Sequence, residues 1–405
     1  MAAERGGSAS VALQKGSANL SGQPVVSAAM ALPRTRVGDA GRHEKLNDQI
    51  LLLILLLCLL TDLGLMQTIL ITGAAGFIGS NFIRLLVQRR SQVKIIALDK
   101  LTYCGNLANL EGVLSDQAVF IRGDICDADF VSAIWEKHQI TQVVNFAAET
   151  HVDRSILGSG PFVQANVVGT QVLLDVAKNR NVERFLQVGT DEVYGTLPED
   201  RPELKFTEET SLQPNSPYSA SKAAADCLVR SYFHTFKMPV LITRCSNNYG
   251  PYQFPEKVIP LFVTNLMEGK KVPLYGDGMN IRDWLHVEDH CEAIWTVLKS
   301  GTPGEVYNIG GNNEITNRKI TETILHEMGR KWDESVQYVK DRPGHDRRYA
   351  IDAGKIKREL GWEPKHRFEQ SIKTTIQWYK DHEDWWRAIK SGEYLKYYEK
   401  QYGGR

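Results

Sequence analysis

Two neighbouring carboxyl groups stand in the stretch QVGTDEVYGTL, where Asp191 and Glu192 follow an apolar run and precede a Tyr-Gly turn. Two nearby carboxyls disfavour double ionisation, so the pKa of one of them should rise. Such a pair can combine a proton donor with a proton acceptor, as acid–base chemistry requires. An exposed turn with two solvated acids is the alternative interpretation of the same residues.

A second pair, Tyr218 and Lys222, lies in SPYSASKAAADCLVRSYF at a helix start that Ser216 and Pro217 indicate. Four residues make about one helical turn, so both side chains face the same side. A lysine ammonium near the phenol should lower its pKa from about 10 toward neutrality and make Tyr218 a usable base. An amphipathic helix with a surface lysine would show the same spacing.

A glycine-rich turn connects a strand to a helix in QTILITGAAGFIGSNFIRLLVQ, with Gly73, Gly76 and Gly79 as GxxGxxG. These glycines permit a tight turn, close approach to a pyrophosphate, and close packing of helix on strand. Asp99 ends the next strand, VKIIALD, where a carboxylate can bind a ribose 2′-hydroxyl and favours NAD over NADP. A structural turn followed by a solvated Asp is the alternative.

The elements that must position these groups alternate between strands and helices. VKIIALD, VFIRGDI (Val119 to Ile125), QVVNFAAE (Gln142 to Glu149) and RFLQVGT (Arg184 to Thr190) are apolar runs separated by helical stretches. We therefore predict an α/β fold, a Rossmann-type doubly wound parallel sheet with a smaller C-terminal substrate-binding lobe. Ligands collect at strand carboxyl ends in such folds. The candidate NAD contacts near the glycine-rich turn and these strand ends are Gly73, Gly76, Phe77, Ile78, Gly79, Asp99, Lys100, Thr102, Asp124, Ile125, Ala147 and Ala148.

Three regions are expected along the chain. Residues 1–65 are an atypical extension, predicted to be disordered where Ala, Gly and Ser dominate, with a short apolar run at Ile50–Leu60. That run is shorter than the roughly 20 residues of a membrane-spanning helix, so we expect either an extension without catalytic role, upstream of a start at Met66, or a weak targeting segment. Residues 66–245 should form the NAD-binding domain and residues 246–405 mainly the sugar-nucleotide lobe, interleaved with it.

Composition excludes some partners. Lys plus Arg and Asp plus Glu both number 48, so nothing favours nucleic-acid binding. The six cysteines are scattered, without a CxxC pair or a Cys/His cluster at metal-ligand spacing. We expect no metal, no membrane partner, and reduced thiols in the cytoplasm.

Longer motifs carry a family resemblance. TGAAGFIG, the YxxxK pair and NFAAETHVDRS resemble the extended short-chain dehydrogenase/reductase superfamily, whose members act largely on nucleotide sugars. TDEVYG, NNYGPYQFPEKVIP, YGDGMNIRDWLHVEDH and DRPGHDRRYAID more narrowly resemble the dTDP-glucose 4,6-dehydratase family. The resemblance extends from about Met66 to roughly Tyr379 and does not cover the first 65 residues.

The resemblance implies dehydration of dTDP-glucose to dTDP-4-keto-6-deoxyglucose with NAD as a tightly held catalyst. Oxidation of C4 removes a proton from O4 and a hydride from C4, so it requires a base and a nicotinamide. Tyr218 and Lys222 supply the base, and Thr190 is placed to hydrogen-bond the same oxygen. By resemblance, Glu192 then takes the acidified C5 proton and Asp191 protonates the departing C6 oxygen, before hydride returns to C6.

Substrate contacts are expected in the later segments. Arg282 and Arg342 should hold the diphosphate or ribose, because Arg suits bidentate contact, although surface charge is the alternative for each. By resemblance, the other substrate contacts are Thr150, Thr190, Asn247, Lys257, Tyr275, Asn317 and His345, while Tyr218, Lys222 and Asn248 face the cofactor. The resemblance also implies that the loop around His151 lines the cofactor pocket, where His151 is packed or hydrogen-bonded and transfers no proton. The Trp-rich segment IKTTIQWYKDHEDWWRAIK should be an amphipathic helix packed on the body.

Other functions share parts of this pattern. A UDP-glucose 4,6-dehydratase would differ only in the nucleotide base of its substrate. Uracil lacks the methyl group of thymine, and one methyl group is worth about 1–3 kcal/mol in an apolar pocket. Nucleotide-sugar epimerases and decarboxylases of the superfamily share Tyr218 and Lys222 but usually lack the Asp191–Glu192 pair. A non-catalytic NAD-binding regulator would lack at least one catalytic residue, and here the set is complete. Family members are commonly dimers, so we expect a homodimer formed through the helix after Ser216 and one other helix.

Overall fold

Short apolar runs form the strands, which the structure, a computed structural model, describes within residues 67–391. In chain order the strands are β1 (Gln67–Thr72), β2 (Val93–Asp99), β3 (Ala118–Arg122), β4 (Gln142–Asn145), β5 (Arg184–Thr190), β6 (Val240–Cys245), β7 (Asn247–Tyr249), β8 (Val272–Tyr275), β9 (Ile281–His286), β10 (Val306–Ile309), β11 (Glu314–Thr316) and β12 (Val336–Val339). The predicted N-terminal extension, with its apolar run and Cys58, lies outside the described residues.

Helices connect most of these strands. They are α1 (Phe77–Gln88), α2 (Ala128–His138), α3 (Val152–Leu157), α4 (Gly160–Phe162), α5 (Gly169–Asn179), α6 (Pro217–Phe236), α7 (Val258–Met267), α8 (Val287–Ser300), α9 (Asn317–Glu327), α10 (Trp332–Ser335), α11 (Gly354–Leu360), α12 (Phe368–Asp381) and α13 (Glu383–Ile389). A π-helical stretch, Val163–Val168, joins α4 to α5. In the part of the chain that the structure describes, no helix is long and apolar enough to cross a membrane.

Seven of the strands form one parallel sheet in the order β10-β6-β5-β4-β1-β2-β3. Helices α1 and α8 cover one face, while α2, α5 and α6 cover the other. This doubly wound arrangement confirms the predicted Rossmann-type α/β fold. From β1 the chain adds β2 and β3 on one side, and then β4, β5 and β6 on the other side. This reversal of strand order between β1 and β4 opens a crevice at the carboxyl ends of these strands.

Two of the predicted strands end earlier than expected. β3 stops at Arg122 and β4 stops at Asn145, whereas the apolar patterns suggested strands to Ile125 and Glu149. The remaining residues of both runs, 123–125 and 146–149, line the crevice instead. Apolar character there reflects a ligand-facing surface rather than sheet pairing.

The C-terminal part packs around its own apolar cluster, in which Tyr249, Phe368 and Trp386 are buried. The predicted Trp-rich helix is two helices, α12 and α13, separated at His382, and it packs on the body as expected. β10 adds to the main sheet from the second predicted region. The described residues belong to one compact unit, Leu65–Arg405, and the boundary near residue 245 stays a prediction.

Candidate active site

The glycine-rich turn between β1 and α1 has no room for a side chain at Gly73 or Gly79. Gly73 has a φ of +64°, and a Cβ there would lie 2.7 Å from the backbone nitrogen of Ala147. A Cβ on Gly79 would collide with the carbonyl oxygen of Gly73. The turn therefore brings bare backbone to the N-terminus of α1, a geometry that fits a pyrophosphate and thus a bound dinucleotide.

Asp99 connects this turn to the end of β2. Its Oδ2 accepts a hydrogen bond from the backbone N–H of Ala75 at 2.9 Å, and its Oδ1 accepts one from Leu101 at 2.7 Å. Burial nevertheless raises the pKa of Asp99 above its usual value. Each carboxylate oxygen keeps a further lone pair, so Asp99 can still accept ribose hydroxyls. Nearby, Lys100 Nζ lies 2.6 Å from Asp124 Oδ2.

The two acids begin a short 3₁₀ helix, Asp191–Tyr194, where β5 ends. The hydroxyl of Thr190 accepts a hydrogen bond from the backbone N–H of Glu192 at 3.3 Å. Asp191 is 1% exposed, and its Oδ2 has no hydrogen-bond partner within residues 67–391. The alternative of two solvated acids in an exposed turn is therefore wrong for Asp191.

The pKa values of the two acids are raised to different degrees. Burial, followed by the charge of Glu192, raises the pKa of Asp191 well above its usual range. Burial also raises the pKa of Glu192, but the charges of Arg342, Lys257 and Arg282 oppose the shift. Asp191 is therefore the group that keeps a proton more easily, and Glu192 is the one that ionises more easily.

Tyr218 and Lys222 lie on the first turns of α6. Ser216 caps this helix in a reciprocal capping box with Ser219, and Pro217 occupies the first turn, as the sequence predicted. Lys222 is 4% exposed and donates a hydrogen bond from Nζ to the carbonyl oxygen of Val188 at 2.7 Å.

The expected lowering of the Tyr218 pKa is wrong for the chain by itself. Burial and then the negative charge of Glu192 raise the pKa of this phenol well above its usual value. The rise is present although Lys222 follows Tyr218 one turn later on the same helix. Burial also lowers the pKa of Lys222 itself.

One cleft contains most of the predicted site residues. All predicted cofactor residues line it, as do the candidate catalytic residues Thr190, Asp191, Glu192, Tyr218 and Lys222. Among the predicted substrate residues, Thr150, Asn247 and Lys257 line it as well. Five predicted substrate residues are not in this lining, namely Tyr275, Arg282, Asn317, Arg342 and His345.

Three of these five contact residues beside the cleft. The hydroxyl of Tyr275 donates to Asp153 Oδ2 at 2.9 Å, and Arg342 Nη1 donates to Asp153 Oδ1 at 2.8 Å. Arg282 is 6% exposed, donates to the carbonyl oxygen of Asp346 at 2.8 Å, and opposes the pKa rise of Asp191. Surface charge is therefore excluded as the role of Arg282.

The other two of these five residues are His345 and Asn317. His345 Nδ1 is 2.6 Å from Asp341 Oδ1, and its ring meets that of Tyr275 edge to face. Asn317 is the first residue of α9, and its backbone N–H donates to Asn280 at 3.0 Å. None of the contacts described for Asn317 connects it to the cleft.

The motifs contained further lining residues that the sequence analysis did not single out. Glu149 and Glu256 both line the cleft, and burial raises the pKa of Glu256 to about 7. Glu256 stands directly before Lys257 in NNYGPYQFPEKVIP, so the motif itself was the available signal. His151 Nε2 lies 3.8 Å from Glu256, and burial holds the pKa of His151 well below its usual value. A neutral packed histidine agrees with the expected lack of proton transfer.

Comparison with known proteins identifies the family. Residues 70–375 match the family model described as GDP-mannose 4,6 dehydratase. The dTDP-glucose 4,6-dehydratase of Xanthomonas campestris pv. campestris strain B100 is 51% identical over 349 residues, covering 81% of this chain and 97% of the relative. The enzyme of the same description from Streptomyces antibioticus is 52% identical over 330 residues, covering 80% and 96%.

Solved structures agree with the observed fold. The dTDP-glucose 4,6-dehydratase DesIV of Streptomyces venezuelae, solved with NAD bound, has 48% identity and a TM-score of 0.77, covering 80% of this chain and 100% of its own. A UDP-glucose 4-epimerase from Thermus thermophilus in complex with NAD has 28% identity and a TM-score of 0.72, covering 78% and 100%. The chain belongs to the GDP-mannose 4,6 dehydratase family, together with these dTDP-glucose 4,6-dehydratases.

Proposed function

We propose that this chain is an NAD-dependent hydro-lyase that converts dTDP-glucose to dTDP-4-keto-6-deoxyglucose. The observation that carries the proposal is the presence of two unlike carboxyl groups, Asp191 and Glu192, in the same cleft as Tyr218 and the glycine-rich turn. The relatives described as dTDP-glucose 4,6-dehydratases, about half identical to this chain over most of its length, support the same substrate.

The first step in this proposal is oxidation at C4. When bound by the residues that line the cleft, NAD would supply the acceptor for the C4 hydride, the donor of the same hydride to C6, and a positive charge. Tyr218 takes the proton from O4, and Thr190 hydrogen-bonds the same oxygen. Because the chain alone raises the pKa of Tyr218, proton removal requires positive charge nearby. The buried ammonium of Lys222 is one residue of this chain that can contribute that charge.

The second step is loss of water across C5 and C6. A ketone at C4 makes the C5 proton acidic, and Glu192 is the carboxylate that takes it. Asp191 donates a proton to the C6 oxygen as it departs, consistent with the strong rise of its pKa. Hydride then returns to C6 and a proton to C5. The cofactor ends the cycle in its starting state.

In this proposal the diphosphate and the nucleoside lie on the cationic side of the cleft, which is the side near Lys257, Arg282 and Arg342. The charges of all three residues oppose the rise in the pKa of Glu192, which supports their closeness to the reacting sugar. The remaining proposed substrate contacts are Thr150, Thr190, Asn247, Tyr275, Asn317 and His345. A uridine nucleotide is the alternative substrate, because it differs from the thymidine nucleotide by one methyl group.

We further propose a cytoplasmic homodimer. The five described cysteines are free thiols, which supports a reducing compartment. Leu157 and Val163 are 58% and 50% exposed on segments that pack beside α6, which supports a partner surface formed by these neighbouring helices.

Incubation of the purified protein with dTDP-glucose or UDP-glucose tests the function. We expect the base-sensitive 4-keto chromophore to form faster from dTDP-glucose. Tyr218→Phe, which keeps the ring but removes the base, should lower the rate about 10²- to 10⁴-fold. No product from either sugar would contradict the proposal, and faster turnover of UDP-glucose would favour the uridine alternative.

A further inference from the structure

Asp153 connects two candidate substrate contacts from distant parts of the chain. Its Oδ1 accepts a hydrogen bond from Arg342 and its Oδ2 accepts one from Tyr275, at 2.8 and 2.9 Å. The Asp153 side chain is only 6% exposed. A buried carboxylate that holds both groups fixes the orientation of a guanidinium and a phenol at the same time.

The segment around Asp153 contacts a third candidate. Lys257 Nζ donates to the carbonyl oxygen of Thr150 at 3.1 Å, and Thr150 lines the cleft. Residues 150–153 therefore touch Lys257, Tyr275 and Arg342. Glu149 separates this segment from Ala147 and Ala148, which line the part of the cleft predicted to bind NAD. The segment therefore connects the part of the cleft predicted to bind NAD to Lys257 and Arg342.

Arg342 has hydrogen-bonding capacity left for a ligand. Asp153 occupies Nη1, while Nε of Arg342 is buried and has no hydrogen-bond partner in the described part of the chain. A buried unpaired N–H is costly unless a ligand accepts from it. The edge of a guanidinium that carries Nε and Nη2 suits bidentate contact with a phosphate.

We propose that Asp153 is a positioning residue that holds Arg342 and Tyr275 for the diphosphate of a nucleotide substrate. The inference rests on the proposed function for the identity of that ligand. Asp153 does not touch the reacting carbons in this account. It acts on substrate affinity through Arg342. Burial alone would raise the pKa of Asp153, but the charge of Arg342, followed by His151 and the hydrogen bonds from Arg342 and Tyr275, together lower that pKa below its usual value.

Asp153→Asn in the NAD-loaded full chain tests this role. We expect the Kd of dTDP, measured by titration calorimetry, and the KM of dTDP-glucose each to rise about tenfold. The value of kcat should stay within about twofold, and bound NAD should stay unchanged. Asp175→Asn is the matched control, because Asp175 also accepts from a tyrosine, Tyr232, and pairs with Lys178 but lies outside the cleft lining.

A double-mutant cycle with Arg342→Lys identifies the pathway of the effect. If Asp153 acts through Arg342, the double variant should bind dTDP within about twofold of Arg342→Lys alone. Unchanged Kd and KM in Asp153→Asn, additive losses, or a fall in kcat alone would each overturn the inference. Should Asp153→Asn fail to fold, Asp153→Glu must restore a wild-type Kd for the inference to stand. Wild-type protein that binds dTDP but forms no 4-keto product would contradict the proposed function while the Kd comparison still decides the role of Asp153.

Discussion

Asp191 and Glu192 are adjacent in the chain but have different electrostatic surroundings. Asp191 lies near two other acids, Glu192 and Asp283, and has lost contact with solvent. Glu192 has three cations near it, so its carboxylate form is favoured relative to that of Asp191. The charges around the two carboxyls therefore differ, which supports the proposed division into a proton donor and a proton acceptor.

Glu192→Gln should separate the two chemical steps. We expect reduced cofactor still to form, because Tyr218 and Lys222 are untouched, while exchange of the C5 proton with solvent falls at least 10²-fold. Absorbance of the reduced nicotinamide and NMR of the sugar in D₂O measure the two steps. Asp191→Asn is the paired variant, in which C5 exchange should persist while water loss slows. Normal C5 exchange in Glu192→Gln would mean that another group is the base.

At the scale of elements, the turn that connects β1 to α1 packs against the residues that follow β4. The backbone of Ala147 lies against Gly73, where a side chain would project. Two parallel strands thus approach each other closely at their carboxyl ends. The glycine turn is therefore a contact between two elements as well as a local motif.

Gly73→Ala should lose bound NAD and lower the free energy of unfolding by more than the backbone strain alone. Gly112→Ala is the matched control, since Gly112 also has a positive φ, +76°, but within residues 67–391 no atom beyond its chain neighbours lies within 4 Å of the position of its Cβ. The control should cost about 1 kcal/mol and retain NAD. Cofactor content by absorbance and denaturant unfolding measure both effects. Equal losses in the two variants would contradict the close-contact explanation.

A histidine anchors the loop before α12 to the N-terminus of α8. His366 Nδ1 lies 2.9 Å from Asp289 Oδ1, and Nε2 lies 3.4 Å from Glu288. These two hydrogen bonds raise the pKa of His366 to about 9, although the stacked ring of His286 lies alongside. The positive charge also complements the acids at this helix end.

The sign of the His366 shift predicts a pH-dependent stability. A raised pKa in the folded state stabilises the protein fully below pH 6.5, and the contribution is lost as the pH rises through about 9. His366→Gln should therefore destabilise the protein at pH 6.5 by up to about 1 kcal/mol, because the site is partly exposed, and much less at pH 9.5. His326→Gln, on the exposed side of α9, is the control. An equal difference at both pH values would contradict the ion-pair explanation.

At the scale of the whole molecule, the C-terminal helices α12 and α13 connect to two segments beside the cleft, the glycine-rich turn and the loop that contains Gln253. Trp385 Nε1 donates to Asn109 Oδ1, and Asn109 in turn donates to the carbonyl oxygen of Ala75 in the glycine turn. The hydroxyl of Tyr379 donates to the carbonyl oxygen of Gln253, which lines the cleft. The Trp-rich segment therefore supports both the glycine-rich turn and the loop that contains Gln253.

Val163→Lys should disrupt the proposed homodimer. We expect the wild type to have a mass of twice 45.6 kDa by light scattering and the variant to have the mass of one chain, because a buried lysine at an apolar interface is costly. Tyr338→Lys is the control, since Tyr338 is 52% exposed on β12 rather than beside α6. A monomeric wild type would contradict the dimer proposal.

The sequence by itself determined the alternation of strands and helices, the glycine turn, the capped start of α6 and the presence of an acid pair. These features are local, because periodicity, capping and turn chemistry act over a few residues. The motifs also contained the residues predicted to contact NAD, and all of these residues line the cleft.

Only the tertiary structure decided how these groups act on one another. Burial raises the pKa of Tyr218 although Lys222 is one helical turn away, and Asp153 meets Tyr275 and Arg342, which are more than 100 residues away. Burial and charge at these positions depend on which distant segments meet. Because desolvation and Coulomb interactions act through space, no local pattern in the chain could determine their strength or direction.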